Sequence, residues 1–328
     1  MTNLRKLMEL KPLFIERMQK LLLDKKDFEN FLETIKNPPV NAIRCNTLKI
    51  SVDELKIRLK NRGWKISQPW KSNPEIIIIE NDLQPGELGR AEEHLLGYYY
   101  VQEIVSMLPI IALKPQQEEL ILDLCAAPGS KTTQIASEMK NTGTIIANEL
   151  SMPRLKILAA NLERCGATNV IITRKEGEAF CQRLQKYNSE MKFDKILLDA
   201  PCSGEGTLRS SLRTAEMWNI KTIQNIPKLQ KNLFRAVFEV LKIGGEMIYS
   251  TCTHAPEEDE AIVNWALEEF KEKIEIEKIF LPKELKFREG IIEWQGKTYN
   301  PKVKLSCRIY PQDNNTEGFF ISKFRRVK

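Results

Sequence analysis

From residue 120 onward, short apolar runs alternate with amphipathic stretches, and this alternation constrains the fold more than any other feature of the chain. The apolar runs fall near 120–124, 144–149, 169–173, 194–199 and 245–251, and the helical patterns near 131–139, 152–165, 221–242 and 257–272. Strands that alternate with helices predict a parallel sheet covered on both faces. The expected fold class is therefore α/β, a doubly wound, Rossmann-like sheet with mostly parallel strands. A last pair of runs, 303–310 and 317–324, flanks the hairpin-like loop Pro311–Thr316. It would supply an antiparallel C-terminal edge strand.

The segment before this rhythm reads differently. Leu4, Leu7, Met8, Leu10, Phe14, Ile15, Met18, Leu21 and Leu22 recur at helical spacing over residues 4–23. A second helix is expected from Asp27 to Ile35, ending before Pro38-Pro39. Ser51 with Glu54 three residues on forms a capping box, and Arg62-Gly63 closes the helix it opens. Strands are expected over 43–48, 64–66 and 75–80. The turn-rich Asp82–Glu87 marks a boundary. Two domains are thus expected, a small α/β module over 1–90 and a larger domain over 91–328.

Composition narrows the setting. The chain has 328 residues with a formal net charge of +6, compatible with a polyanionic partner without requiring one. No apolar run approaches the ~20 residues that span a bilayer. The first residues are charged rather than an apolar signal core, so a cytoplasmic protein with no membrane partner is expected. Seven cysteines are scattered with no C-x-x-C spacing. That argues against a disulfide framework and against structural zinc. Cys45, Cys165, Cys181 and Cys307 read as small buried apolar side chains.

Three strand ends carry the chemistry. Ligands of open α/β sheets bind beyond the carboxyl ends of the strands, where the strand order reverses. The first of these ends continues into Cys125-Ala126-Ala127-Pro128-Gly129-Ser130-Lys131. Neither G-x-G-x-x-G nor G-x-x-x-x-G-K-[ST] is present, so a helix N-terminus is there but a pyrophosphate cradle is not. This favours a nucleoside ligand without phosphates. Glu149 lies 20 residues beyond Gly129, where an acid reads ribose hydroxyls. S-adenosyl-L-methionine meets both conditions. The other two ends lead to Asp199-Ala200-Pro201-Cys202 and Ser250-Thr251-Cys252. A nucleoside site beside two thiols suggests nucleophile-dependent methyl transfer to a pyrimidine. His254, two residues from Cys252, is either a base for that thiol or an ordinary loop histidine. Lys131 is a source of positive potential for the thiolate. Asp199, if protonated in an apolar crevice, could donate to cytosine N3. Gly204–Thr214, with Arg209 and Arg213, reads as a mobile loop over the pocket. Trp64, Trp70 and Tyr98-Tyr99-Tyr100 are candidates for base stacking, although aromatics more often serve cores.

These residues, taken in order, resemble the RsmB/Sun (Nol/Nop/Sun) family of RNA cytosine-5 methyltransferases, the archaeal tRNA-type members most of all. The resemblance also rests on Arg44–Lys49, Tyr100-Val101-Gln102-Glu103, Arg308-Ile309-Tyr310-Pro311 and Gly318-Phe319-Phe320. It implies a methyltransferase sheet that uses S-adenosyl-L-methionine and no metal, with an N-terminal RNA-binding module. It implies that Cys252 is the nucleophile and that Cys202 helps release the methylated product. Cofactor contacts carry over to Cys125–Lys131, Glu149 and Asp199, and to the basic position Arg154. The family's adenine-binding Asp is matched by Glu176, one methylene longer. tRNA is the preferred substrate of a compact chain, rRNA the alternative, and a monomer is expected. A DNA-type enzyme would place the nucleophile at Cys202 instead. A non-catalytic RNA-binding assembly factor on the same fold is the reading from another class.

Overall fold

The computed structural model describes residues 10–328. The predicted helix over 4–23 falls partly outside them, and its described part runs Pro12–Leu21. Lys25–Ile35 follows, with Asp24 accepting a hydrogen bond from the Asp27 N–H at its N-terminus. Four strands then form a small antiparallel sheet: β1 Asn41–Cys45, β2 Ile66–Ser67, β3 Ile76–Ile79 and β4 Tyr99–Val101, in the order β2-β3-β1-β4. The helix Val52–Asn61 packs on it through Leu55 and Leu59 and begins with the expected capping box of Ser51 and Glu54.

The large sheet holds five parallel strands: β5 Leu120–Asp123, β6 Thr144–Asn148, β7 Val170–Thr173, β8 Phe193–Asp199 and β9 Leu241–Thr251. Their spatial order is β9-β8-β5-β6-β7. The chain moves outward from β5 to β7 and returns to β8 on the other side of β5. The order therefore reverses between β5 and β8, which sets the ligand crevice there. The apolar runs are continuous because both faces are covered. Ile196 and Leu198 of β8 join Phe234 and Val237 of the long helix Ile220–Val240 on one face, while Leu197 joins Ile135 of the helix Ser130–Glu138 on the other.

The C-terminal segment extends the sheet in the antiparallel sense. β10 Ile274–Glu277 and β11 Arg288–Glu289 precede a small hairpin, β12 Glu293–Trp294 with β13 Lys297–Thr298. β14 Cys307–Ile309 pairs with β15 Phe319–Arg326, and β15 pairs with β9. The expected antiparallel extension from the C-terminal part of the chain is present, and on this side the sheet ends in β11, which pairs with β14. A helix over Gly177–Tyr187 was not expected; Phe180, Cys181 and Leu184 pack on the core, and only Cys181 is fully buried.

The two N-terminal helices pack away from the small sheet. Phe14, Met18, Phe31 and Ile35 form a cluster with Leu208, Trp218, Ala255 and Tyr310, around the loops that follow β8 and β9. Arg17 pairs with Glu257 at 2.7 Å, and Arg288 with Asp27. Arg209 corrects the reading of 204–214 as a mobile loop. Its guanidinium is 1% exposed and donates to the carbonyls of Asn37, Pro38 and Thr316. It ties three segments together rather than reaching outward.

Candidate active site

β5 ends at Asp123, and the chain turns through Leu124–Gly129 into the helix Ser130–Glu138. Gly129 has φ 103°, and a Cβ there would lie 3.0 Å from Leu158 Cδ1. Glycine removes both the strain and the clash. The peptide between Ala127 and Pro128 is cis. Cys125, Ala126, Ala127, Pro128, Ser130, Lys131 and Asp199 line one cavity of about 370 Å³ with Tyr100, Glu103, Ser106 and Asp123.

The carboxylates around this cavity differ in setting. Asp123 is fully buried, accepts from the Thr132 hydroxyl at 2.7 Å, and leaves Oδ1 without a partner. Burial pushes its carboxyl up to about 7. An orphaned buried acceptor on the cavity wall is what a donor-bearing ligand would satisfy. Glu149, 5% exposed, accepts from the Ser151 N–H at 2.7 Å and pairs with Arg154 at 3.2 Å. Arg154 also donates to the Ala127 carbonyl at 2.6 Å, so it joins Glu149 to the loop. Glu176 is exposed and stands at the start of the helix Gly177–Tyr187, outside the cavity lining.

Lys131, Asp199 and the two cysteines adjoin. Lys131 Nζ lies 2.7 Å from Asp199 Oδ2 and 3.0 Å from the Ser106 hydroxyl. The Ser250 hydroxyl donates to Asp199 Oδ1 at 2.7 Å. Both oxygens of Asp199 are thus taken by donors, one an ammonium. This is the environment of a carboxylate, not of the carboxylic acid expected for donation to N3. Two residues beyond Ser250, Cys252 Sγ lies 3.3 Å from Cys202 Sγ. The Cys252 sulfur beside it, and then burial, push the Cys202 thiol well up. The two sulfurs are within hydrogen-bond distance, and either can be the donor. Burial also raises the thiols of Cys45, Cys181 and Cys307 to about 12, as their apolar reading requires. All seven cysteines are unpaired.

The loops that carry the two thiols are joined at several points. Ser203 Oγ and Thr253 Oγ1 are 2.8 Å apart, and the Gly206 N–H donates to the Cys252 carbonyl at 2.9 Å. A Cβ at Gly206 would lie 2.3 Å from the Gly318 carbonyl oxygen, so these backbones touch only because both residues lack side chains. Arg308 donates to the His254 carbonyl at 3.1 Å, and Tyr310 stacks on the His254 ring at 5.1 Å. His254 is buried, its Nε2 has no partner, and burial with the nearby Arg308 lowers it to about 3. It is a neutral packing residue, the second of the two readings offered by the sequence. Trp64, Trp70 and Tyr99 are buried and serve the core, whereas Tyr100, also buried, lines the cavity.

Sequence reasoning passed over Asp123, Glu103 and Ser106 as cavity residues. Asp123 carried a signal, as the last residue of a strand before a ligand loop. Glu103 lay in the Tyr100–Glu103 stretch of the resemblance, which gave it no role, and Ser106 carried no signal; both follow β4 of the small sheet and arrive at the cavity through tertiary packing. Glu103 caps the turn there by accepting from the Val105 N–H at 2.7 Å, and burial raises its carboxyl to about 7.

A parallel sheet with its cavity at the reversal point, a helix N-terminus without a phosphate cradle and an acid at the next strand end define an S-adenosylmethionine-dependent methyltransferase. The family described as 16S rRNA methyltransferase RsmB/F matches residues 110–325, and the N-terminal domain of 16S rRNA methyltransferase RsmF matches 10–104. The chain belongs to this RsmB/F (Sun) family of RNA cytosine-5 methyltransferases. It is 40% identical over 314 residues to a tRNA (cytosine(49)-C(5))-methyltransferase of Pyrococcus abyssi, covering 96% of each chain. It is 40% identical over 320 residues to the ribosomal RNA small subunit methyltransferase F of Psychromonas ingrahamii, covering 96% of this chain but 63% of that one. Among solved structures, a methyltransferase homologue from Pyrococcus horikoshii aligns with TM-score 0.80 at 33% identity, over 97% of this chain and 96% of that one. NSun6 from Pyrococcus horikoshii, solved with the S-adenosylmethionine analogue SFG, aligns with TM-score 0.79 at 25% identity, over 95% and 97%. Among the described residues no helix is long and apolar enough to cross a membrane.

Proposed function

We propose that this chain forms 5-methylcytosine in tRNA through a covalent bond between Cys252 and C6 of the base. The observation that carries the reading is the 3.3 Å pair of Cys252 with Cys202, set two residues from a serine that holds Asp199. When bound in the cavity, S-adenosylmethionine supplies an electrophilic methyl group. Cysteine-loop residues do the rest. The Cys252 thiolate adds to C6 and turns C5 into a nucleophile. The Cys202 thiol stabilises that thiolate as it leaves C6, once C5 has given up its proton to water. Asp199, held as a carboxylate by Lys131 and Ser250, accepts from the exocyclic amine of the cytosine. The base leaves its stack to reach this point.

The cofactor contacts follow the same geometry. Cys125–Lys131 and Asp123 would hold the cofactor, with Glu149, positioned by Arg154, for its ribose hydroxyls. Glu176 remains the candidate for the adenine edge. The small antiparallel sheet, which takes in Tyr99–Val101 beyond the expected boundary at 90, grips the RNA, and the large sheet performs the chemistry. tRNA is favoured over rRNA because the tRNA-specific relative matches this chain over 96% of both lengths. Bisulfite sequencing of tRNA and rRNA from cells with and without the gene tests the substrate. Loss of a tRNA cytosine methylation supports the reading, and loss confined to rRNA overturns the tRNA assignment.

A further inference from the structure

Cys202 lies in Pro201–Gly204, a stretch with neither helix nor strand. Its sulfur nevertheless sits at hydrogen-bond distance from Cys252. Two side chains hold the stretch from below. Gln230, on the helix Ile220–Val240, donates from Nε2 to the Pro201 carbonyl at 3.0 Å. The same nitrogen donates to Glu258 Oε2 at 3.1 Å. Glu258 Oε2 in turn accepts from the Ser203 N–H at 2.9 Å. The peptide groups on either side of Cys202 are therefore gripped by one connected pair. Glu258 is itself fixed, because its carbonyl accepts from the Tyr249 hydroxyl at 2.6 Å.

Stability alone does not account for this pair. Gln230 and Glu258 are both 0% exposed, on a helix face and loop that otherwise bury Leu233, Phe234 and Val237. Each keeps one oxygen, Gln230 Oε1 and Glu258 Oε1, with no hydrogen-bond partner. A buried polar group left partly unsatisfied costs free energy that an apolar side chain of similar size would not. What the two groups supply in exchange is a fixed path for the backbone through Cys202.

We infer that Gln230 and Glu258 are positioning residues for Cys202, holding its flanking peptides so that its sulfur stays within hydrogen-bond distance of the Cys252 sulfur while the methylated base is released. The inference rests on the reading of Cys202 as the release residue. It separates two steps that a purely structural role would weaken together. Methyl transfer needs Cys252 and Asp199, neither of which the pair touches. Release needs Cys202 in register.

The test uses the full chain with total tRNA and methyl-labelled S-adenosylmethionine. Wild type, Cys202→Ala, Gln230→Leu, Glu258→Leu and Glu258→Gln are compared. Label transfer over many turnovers, label transfer in the first turnover and denaturant-resistant protein–RNA adduct are recorded. Calorimetry with S-adenosylmethionine alone reports whether each variant is folded. Gln230→Leu and Glu258→Leu should stall after the first turnover and accumulate adduct as Cys202→Ala does. A misplacement of about 1 Å is expected to slow turnover about 100-fold. Glu258→Gln, which keeps an acceptor oxygen, should release product faster than Glu258→Leu. If Cys202→Ala traps adduct while folded Gln230→Leu and Glu258→Leu lose first-turnover transfer and adduct together, or turn over like wild type, the inference is overturned and the release reading stands. If Cys202→Ala traps no adduct, the release reading fails and the inference with it.

Discussion

Replacing Lys131 by methionine removes the ammonium and keeps most of the unbranched side chain. The Nζ–Oδ2 distance to Asp199 is 2.7 Å, with side-chain exposures of 10% and 28%. With an effective dielectric of about 20, a pair at that separation attracts by about 6 kcal/mol before desolvation is subtracted. Desolvating the ammonium offsets much of this, which leaves the usual net of about 1.5–3 kcal/mol for a hydrogen bond between charged groups. The variant should therefore unfold with a stability lower by about 1–2 kcal/mol, because Asp199 keeps the Ser250 hydroxyl and some water. The effect on rate should be larger. Lys131 also donates to Ser106 on the cavity wall and sets where the Asp199 carboxylate stands against the base. Losing one preorganised donor of this kind typically costs about 100- to 1,000-fold in turnover. Thermal melts and label transfer to tRNA measure the two quantities separately. A variant that melts lower but transfers methyl within about threefold of wild type would refute the placement of Lys131 in the reacting site, since about threefold corresponds to less than 1 kcal/mol.

Other consequences follow from the same contacts. Arg154→Ala removes the link between Glu149 and the Ala127 carbonyl, and cofactor affinity by calorimetry should fall about tenfold, the loss of one charge-assisted hydrogen bond. Its guanidinium is 55% exposed, so chemical denaturation should show a stability change within about 0.5 kcal/mol; a large stability loss with unchanged affinity would count against the cofactor role. His254 is lowered from 6.5 to about 3 by burial and Arg308, with Tyr310 stacked on its ring. A depressed histidine contributes stability that is fully present above pH 6.5 and lost as pH falls toward 3, about 3 kcal/mol of it by pH 4. NMR titration of its ring should show a neutral imidazole down to about pH 4; a midpoint near 6.5 would reopen its candidacy as a base.

Much of the site was legible because its residues sit at strand ends. Parallel strands buried on both faces give continuous apolar runs, so the positions of Asp199, Cys202 and Cys252 could be read from where those runs stop. The cofactor loop was legible for the same reason, through Gly129 at the turn into a helix. What the sequence withheld depends on packing between distant segments. Arg209 looks like a loop cation, yet its three carbonyl partners come from residues 37, 38 and 316. The N-terminal helices carry an ordinary amphipathic pattern that does not say which surface they cover, and they cover the cysteine loops. Asp199 sits at a strand end in an apolar context, which suggested a protonated acid; Lys131, 68 residues away in sequence, supplies the counter-charge that reverses this. The Cys202–Cys252 contact was implied by two neighbouring strand ends, but the 3.3 Å separation of the sulfurs depends on how the two loops pack.

The most direct test of the account is to find which sulfur carries the RNA. Cys202→Ala enzyme would be incubated with tRNA and S-adenosylmethionine, denatured and digested, and the RNA-bearing peptide identified by mass spectrometry. The account predicts that the peptide contains Cys252, and that Cys252→Ala forms neither adduct nor methylated product. RNA attached to Cys202 in an active Cys252→Ala enzyme would contradict it, and would exchange the roles of the two thiols.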